Sequence, residues 1–344
     1  MPLLNHMKLR RGAAAVRAIY HKRAVLSGPT LGLDFTGQQY IRMDAGEAFG
    51  DIITFTRASA ATRFNASGVL ETVGNNVPRI DYDPVTLACR GLLIEEQRTN
   101  MLLNSATLAT QSVAVSGVAK TLTFTGTGSI ALSGAHTATL NGTGANNRVA
   151  LTFTPSAGTL TLTVTGDVRN AQLEVGAFAT SWIPTTGAQA TRAADVVSIN
   201  TLSPWYNQQE GTIFAEASTA AGGSSRVVVC PSDGTLSNRM QIVINSTTSN
   251  GAISVAGAVQ LDFHRGSSGS NGDVQKCALA YKENASAVSV NNASLAEDTS
   301  CLIPAINRMN VGSYPNGSYL NGYIRKLRYF PKRLTNAELQ ALTA

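Results

Sequence analysis

The densest run of ionisable side chains in this 344-residue sequence lies between residues 57 and 100: Arg57, Arg63, Arg79, Asp81, Asp83, Arg90, Glu95, Glu96 and Arg98. Glycoside hydrolysis requires two carboxylates held about 5 to 9.5 Å apart across the bond. On a strand such a pair would appear as acids two or four residues apart, because those positions share a face. Asp81 and Asp83 have that spacing. They sit, however, in an Asp-Tyr-Asp-Pro segment beside Arg79, a composition that suits an ion-paired turn better than a catalytic dyad. Glu95 and Glu96 point to opposite sides of any strand, so they do not act as one pair. One of them is expected to face a buried arginine such as Arg57, Arg98 or Arg192. The acids of 199–344 show no cluster of this kind. The expectation is therefore structural: Arg57, Arg79, Asp81, Glu95, Arg98 and Arg192 form an ion-pair network that closes the first module, and Arg98→Ala harms folding rather than binding.

Other chemistries lack their parts. His136 and His264 stand alone, no Gly-x-Ser-x-Gly elbow occurs, and no glycine-rich phosphate loop appears. Cys89, Cys230, Cys277 and Cys301 have no Cys-x-x-Cys spacing, so neither a zinc site nor another metal or cofactor is expected. Free thiols are the expected state of the four cysteines, with a bridge among the last three as the alternative. The chain is read as non-enzymatic. Sugar binding without cleavage remains open, because aromatic faces stack on sugars and Trp205, Tyr206, Tyr314 and Tyr319 fall near loops. The competing reading makes Trp205 a core residue, as large aromatics are mostly buried.

The formal charge of +6 is localised. Residues 1–33 hold Lys8, Arg10, Arg11, Arg17, Lys22 and Arg23 and no acid, leaving basic and acidic residues balanced at 21 each in the rest. Leu9, Ala13, Val16 and Tyr20 recur at helical spacing, so residues 7–24 are expected to form a short basic helix, ended by Gly28-Pro29. A helix this short is marginal alone in water. It is read as a docking segment, the alternatives being a solvated tail or a nucleic-acid contact; the last is disfavoured because only Tyr20 interleaves with the charges. No apolar stretch suits a secretory signal or reaches the roughly 20 residues of a membrane span, so synthesis in a cytoplasm and no membrane insertion are expected.

The elements that must position these residues are strands. Ser, Thr, Asn and Gly abound, charged residues are only 14%, and this composition favours sheets over amphipathic helices. Leu31–Phe35 and Asp51–Thr56 read as strands. Thr121–Thr125, Ser129–Ser133, Val149–Thr154, Thr159–Thr165 and Asn170–Val175 alternate threonine or another polar residue with apolar ones, giving one wet and one buried face. Gly211–Ala217, Arg226–Val229, Met240–Ile244, Lys276–Tyr281, Ala287–Asn291 and Gly322–Phe330 repeat the pattern, with Asn316-Gly317 and Asn321-Gly322 as tight turns. Thr335-Asn-Ala-Glu338 is a capping box opening a short C-terminal helix. The fold class is all-β, two β-sandwiches behind a short N-terminal helix. The expected divisions are 1–30, 31–198 and 199–344, the last boundary falling somewhere in 190–205.

Four segments carry a resemblance: Ile53-Thr-Phe-Thr-Arg-Ala-Ser59, Asn76-Val-Pro-Arg-Ile-Asp-Tyr-Asp-Pro84, Gly91-Leu-Leu-Ile-Glu-Glu-Gln-Arg-Thr-Asn100, and Ala171–Pro184 followed by Thr191-Arg-Ala-Ala-Asp195. In this order they resemble a module of virion appendage proteins of tailed bacteriophages and prophages. The end of the chain, Tyr323–Phe330 then Leu334–Leu339, is similar to concanavalin A-like or laminin G-like domains found behind that module. The resemblance implies a jelly-roll-like and a concanavalin A-like sandwich in a fibre, spike or decorating subunit of head, collar or tail. It further implies a homotrimer located in the virion, partnered by other virion proteins and host surface polysaccharide, with no nucleic acid and no catalytic residues. A decoration protein that never touches the host and a glycan depolymerase are the alternatives.

Overall fold

The computed structural model describes residues 28–220, 226–244, 248–266, 272–293 and 295–344. The expected basic helix, with Lys8, Arg10, Arg11, Arg17, Lys22 and Arg23, lies outside the described residues.

Two antiparallel sheets make the larger sandwich. The first runs Ala296–Asp298, Ser286–Val290, Gln275–Lys282, Glu210–Thr219, Gly322–Phe330, Leu31–Asp34, Gln39–Arg42 and Ala45–Glu47. Cys89–Ile94, paired with Ile80–Tyr82, joins it at the Gly322 end of the long last strand. The second runs Ala258–Gly266, Thr248–Val255, Arg239–Ile244, Arg226–Ser232, Arg308–Val311, Val196–Ile199 and Thr54–Thr56. Period-two alternation decides which side chains meet between them. Leu33, Ile213 and Leu327 from one sheet pack with Val197, Val229 and Ile242 from the other.

Glu210–Thr219 is largely buried on both faces because the outer one is covered too. Phe214 and Phe330 pack under Leu334 and Leu339, the latter in the helix Asn336–Thr343. That helix starts as the sequence predicts. The Thr335 hydroxyl accepts from the Glu338 backbone N–H at 3.3 Å, and the Glu338 carboxylate accepts from the Thr335 backbone N–H at 2.7 Å.

The smaller sandwich stacks Gln111–Val115, Gly158–Thr165, Ser129–Gly134 and Ala138–Asn141 on Gly144–Phe153, Lys120–Gly126 and Arg169–Val175. Its core is Leu122, Phe124, Ile130, Leu160, Leu162 and Leu173, the apolar half of the threonine alternation.

The expected succession of two modules is corrected. Leu31–Asp34 pairs with Gly322–Phe330, and Val196–Ile199 lies between Thr54–Thr56 and Arg308–Val311. Val196–Ile199, inside the expected boundary, is thus a strand of the larger sandwich, and the smaller sandwich is an insertion into it. Local alternation fixes which face of a strand is buried; it does not say which distant edge the strand completes. Asn100 fastens the start of the insertion to its end. Its amide donates to the Ala171 and Ile183 carbonyls, both at 2.9 Å, and accepts from the Leu102 and Leu173 backbone N–H groups.

All four cysteines are free. Burial pushes the Cys230 and Cys277 thiols up to about 12, so both are neutral hydrophobes at physiological pH. Among the described residues no helix is long and apolar enough to cross a membrane.

Candidate functional site

The polar residues singled out in the sequence meet where the two sandwiches join. Arg57 follows the strand Thr54–Thr56, Arg79 precedes Ile80–Tyr82, and Glu95 follows Cys89–Ile94. Arg192 ends Ala190–Arg192, which pairs with Arg98–Asn100. Asp195 and Glu95 are tied backbone to backbone, and the Glu95 N–H also donates to the Asp195 carboxylate at 2.9 Å.

Asp195 binds Arg57 at 3.0 Å and Arg79 through its other oxygen. Glu95 binds Arg79 at 2.8 Å and Arg192, and also accepts from the Ser181 N–H and hydroxyl. The three guanidinium groups and Asp195 have no exposed side-chain surface. Three cations face two anions, and the Ser181 hydroxyl and backbone carbonyls supply further acceptors, the Nε atoms of Arg79 and Arg192 remaining without a partner. Arg57 donates to Ser59, Gly74 and Val77, Arg79 to Thr62, and Arg192 to Glu96. Burial pushes the Glu95 carboxyl up, but Arg192 and Arg79 outweigh it and hold the group well below the usual carboxylate range.

The other expected members sit at the edge. Arg98 binds Glu96 at 2.6 Å and stacks on Phe178 at 4.6 Å, with Glu174 4.0 Å away. Glu96, on the side away from Glu95, also accepts from the Asn321 amide at 2.8 Å. Asp81 accepts from the Phe64 N–H and the Tyr323 hydroxyl, with Arg90 at 3.8 Å. Burial dominates there and raises its pKa. Asp83 accepts from the Thr86 and Val85 N–H groups and from Arg90 at 2.6 Å, which together hold it well below the usual range. All four oxygens of Asp81 and Asp83 accept hydrogen bonds inside the protein.

Above this join lies a cleft of about 670 Å³, within the size range of small-ligand sites. Its walls are the hairpin Ala61–Phe64 with Leu70–Val73, the Gly322 end of the first sheet, and the smaller sandwich. The last wall has an unusual register. Phe124 pairs with Val149 and Gly126 with Gly144, so Thr125 alone stands opposite Ala145, Asn146, Asn147 and Arg148. Gly126 permits this with φ +122, where a side chain would strike the Asp167 carbonyl. Such a bulge bends the strand and re-aims its side chains. All four bulged residues line the cleft, with Trp182, Tyr323 and the network's Glu95.

Of the two readings left open for the aromatic residues, the structure favours the core one for Trp205. Trp205 is 1% exposed, donates to the Thr201 carbonyl and sits edge-on to Tyr206 and Tyr329 in the core. Tyr206 packs on that core against Tyr281, and Tyr319 packs on it as well. Tyr314 packs against the separate Val227, Cys230 and Val243 cluster, its hydroxyl donating to Gln241. None of the four lines the cleft. Large rings are drawn to apolar cores, and here the core took them. Asp195 and Trp182 fell inside the motifs without being singled out, and Arg148 carried no sequence signal, since a bulge opposite a single residue is a property of pairing.

No protein-family model and no curated protein matches the chain. Among solved structures it is similar to the Ruminococcus gnavus IT-sialidase CBM40 bound to α2,3-sialyllactose, 13% identical over 40% of this chain and 84% of that one, TM-score 0.35. It is similar also to the NanB sialidase of Streptococcus pneumoniae, 17% identical over 43% of this chain and 26% of that one, TM-score 0.36. The leech intramolecular trans-sialidase is 14% identical over 40% of this chain and 23% of that one, TM-score 0.33. The chain thus spans about a quarter of each of these two enzymes' lengths. These likenesses are partial and distant, and the all-β sandwich architecture stands on the strand order itself.

Proposed function

We propose that this chain is a non-enzymatic structural subunit of a tailed-bacteriophage particle, a fibre, spike or surface-decorating protein, whose inter-sandwich cleft attaches to a host-surface glycan. One observation carries the reading: the segments that resemble the virion module converge on one place. Arg57, Arg79, Glu95, Ser181, Arg192 and Asp195 come from all of them and form the buried join under the cleft. On this reading the module is a device for holding an inserted sandwich rigidly against the sheet that carries it, and the cleft between them is its working surface. A cleft lined by both polar and apolar groups, Trp182 among them, suits a sugar, whose hydroxyls need donors and acceptors and whose ring faces are apolar. Binding is favoured over cleavage because Asp81 and Asp83 are both engaged as structural carboxylates, Asp81 by the Phe64 N–H and the Tyr323 hydroxyl and Asp83 by the Val85 and Thr86 N–H groups and Arg90. The basic segment is the proposed attachment to the particle, where the chain assembles as a homotrimer.

The test uses the full chain on polysaccharide from the host surface. Retention on the polysaccharide without release of reducing ends is expected. Release of reducing ends would instead make the protein a depolymerase, and no retention would leave a decoration protein that does not touch the host.

A further inference from the structure

Arg148 differs from the other arginines at this join. Arg57, Arg79, Arg98 and Arg192 each have a carboxylate partner, as do the cleft arginines Arg63, with Glu71 at 2.8 Å, and Arg90, with Asp83 at 2.6 Å. Arg148 has none among the described residues. One of its terminal nitrogens donates to the Thr180 carbonyl at 2.5 Å and the other to the Thr123 hydroxyl at 2.6 Å, both neutral acceptors. Its Nε is buried without a partner, as are those of Arg79, Arg98 and Arg192, so what sets Arg148 apart is the missing carboxylate. Arg148 is half-buried at the cleft, and a guanidinium partly withdrawn from water without an opposite charge is poorly compensated. Burial accordingly pushes the pKa of Arg148 down, more than Glu174 and Glu95 at longer range restore it. Each terminal nitrogen still carries a second N–H, and two such donors in one plane match the two oxygens of a carboxylate.

The bulge is what places this group at the cleft, in series with Asn146 and Asn147. The Asn147 amide is held by the Thr143 hydroxyl at 2.6 Å, whereas the exposed Asn146 amide is unengaged among the described residues. The half-buried Trp182 lines the same space, its indole N–H directed to Ser105 at 3.3 Å. An uncompensated cation, an open amide and an aromatic side chain within one cleft are the parts that recognise a charged sugar.

We infer that the cleft takes an acidic sugar, with Arg148 receiving its carboxylate and the bulge carrying the contact. This rests on the glycan-binding reading above and narrows it to carboxylated residues. The full chain is titrated calorimetrically with oligosaccharides containing glucuronate, galacturonate or N-acetylneuraminate, each also in carboxyl-reduced form, and with inorganic phosphate as competitor. At least one acidic oligosaccharide is expected to bind, with carboxyl reduction weakening it roughly tenfold to a hundredfold, the range of a charge-assisted hydrogen-bonded pair. Arg148→Gln is expected to match the loss caused by reduction, and Arg148→Lys to recover only part of it. Equal binding of native and reduced forms by the unmodified chain overturns the inference while leaving glycan binding standing, whatever the variants' folding. Tight phosphate binding without sugar binding overturns it in favour of a plain anion site. Binding of none of these, together with no retention on host polysaccharide, removes both readings.

Discussion

Asp195 receives Arg57, Arg79 and the Glu95 N–H with no exposed side-chain surface, so its loss would leave two buried guanidinium groups short of charge. Breaking one side of a buried pair costs about 3 to 5 kcal/mol, and Asp195→Asn should lower stability by that order in urea denaturation. Arg98→Ala should cost less, because Arg98 pairs with the half-buried Glu96 and lies outside the central cluster. A larger loss for Arg98→Ala than for Asp195→Asn would contradict the geometry. The same cluster sets an acid response. Glu95 is held below its unfolded value of about 4.3, so its contribution is complete above that value and is lost as pH falls toward the folded pKa. Asp83 acts in the same sense. Asp81 acts in the opposite one, since its raised pKa makes protonation favourable to the fold. Glu71 and Asp233 are lowered by their hydrogen bonds, and Glu338 by hydrogen bonds that outweigh its burial; all three act with Glu95 and Asp83. The melting temperature should therefore fall from about pH 4 downward, and Glu95→Gln should flatten that fall while lowering stability at neutral pH.

At the scale of elements, Gly91 shows how tightly the first sheet is closed around its long last strand. It lies at φ +110 where Cys89–Ile94 meets Gly322–Phe330, and a β-carbon there would fall 2.3 Å from the Ile324 carbonyl. Gly91→Ala should therefore destabilise by at least about 1 to 3 kcal/mol, the cost of a strained backbone alone, and a neutral result would show that this edge can shift. Strands of this kind were legible in the sequence. The alternation over Thr121–Thr125 became Lys120–Gly126, Met240–Ile244 became Arg239–Ile244, and the capping box opened its helix. Val149–Thr154 is where legibility stopped: the strand runs Gly144–Phe153, because the bulge continues it through Asn-Asn-Arg, where there is no apolar alternation to mark a strand. The ion-pair residues were legible as a group, since charges in an otherwise charge-poor body must be paired, but Asp195 was not marked out as their hub. Of the two readings of Trp205, the structure bears out the core one; a tryptophan near a loop and a tryptophan in a core look alike until the strands around it are placed.

At the scale of the molecule, the insertion makes the C-terminal half dependent on the N-terminal half. A fragment of residues 199–344 lacks Leu31–Asp34 and Cys89–Ile94 from one sheet and Thr54–Thr56 and all but the last residue of Val196–Ile199 from the other. It should fail to give the cooperative melting of the full chain, and a folded, dispersed NMR spectrum from that fragment would show that the larger sandwich closes without them. The long strand Gly322–Phe330 also has a mechanical direction. Leu31–Asp34 pairs with its Tyr329 end, and Gly322 and Tyr323, at the other end, line the cleft about 20 Å away at 3.3 Å per residue. Tension between the leading segment of the chain and anything gripped in the cleft therefore runs along this strand and loads the four rungs to Leu31–Asp34 in shear, all together. Tension between residues 31 and 330, neighbours at one end of the same ladder, would peel those rungs one at a time.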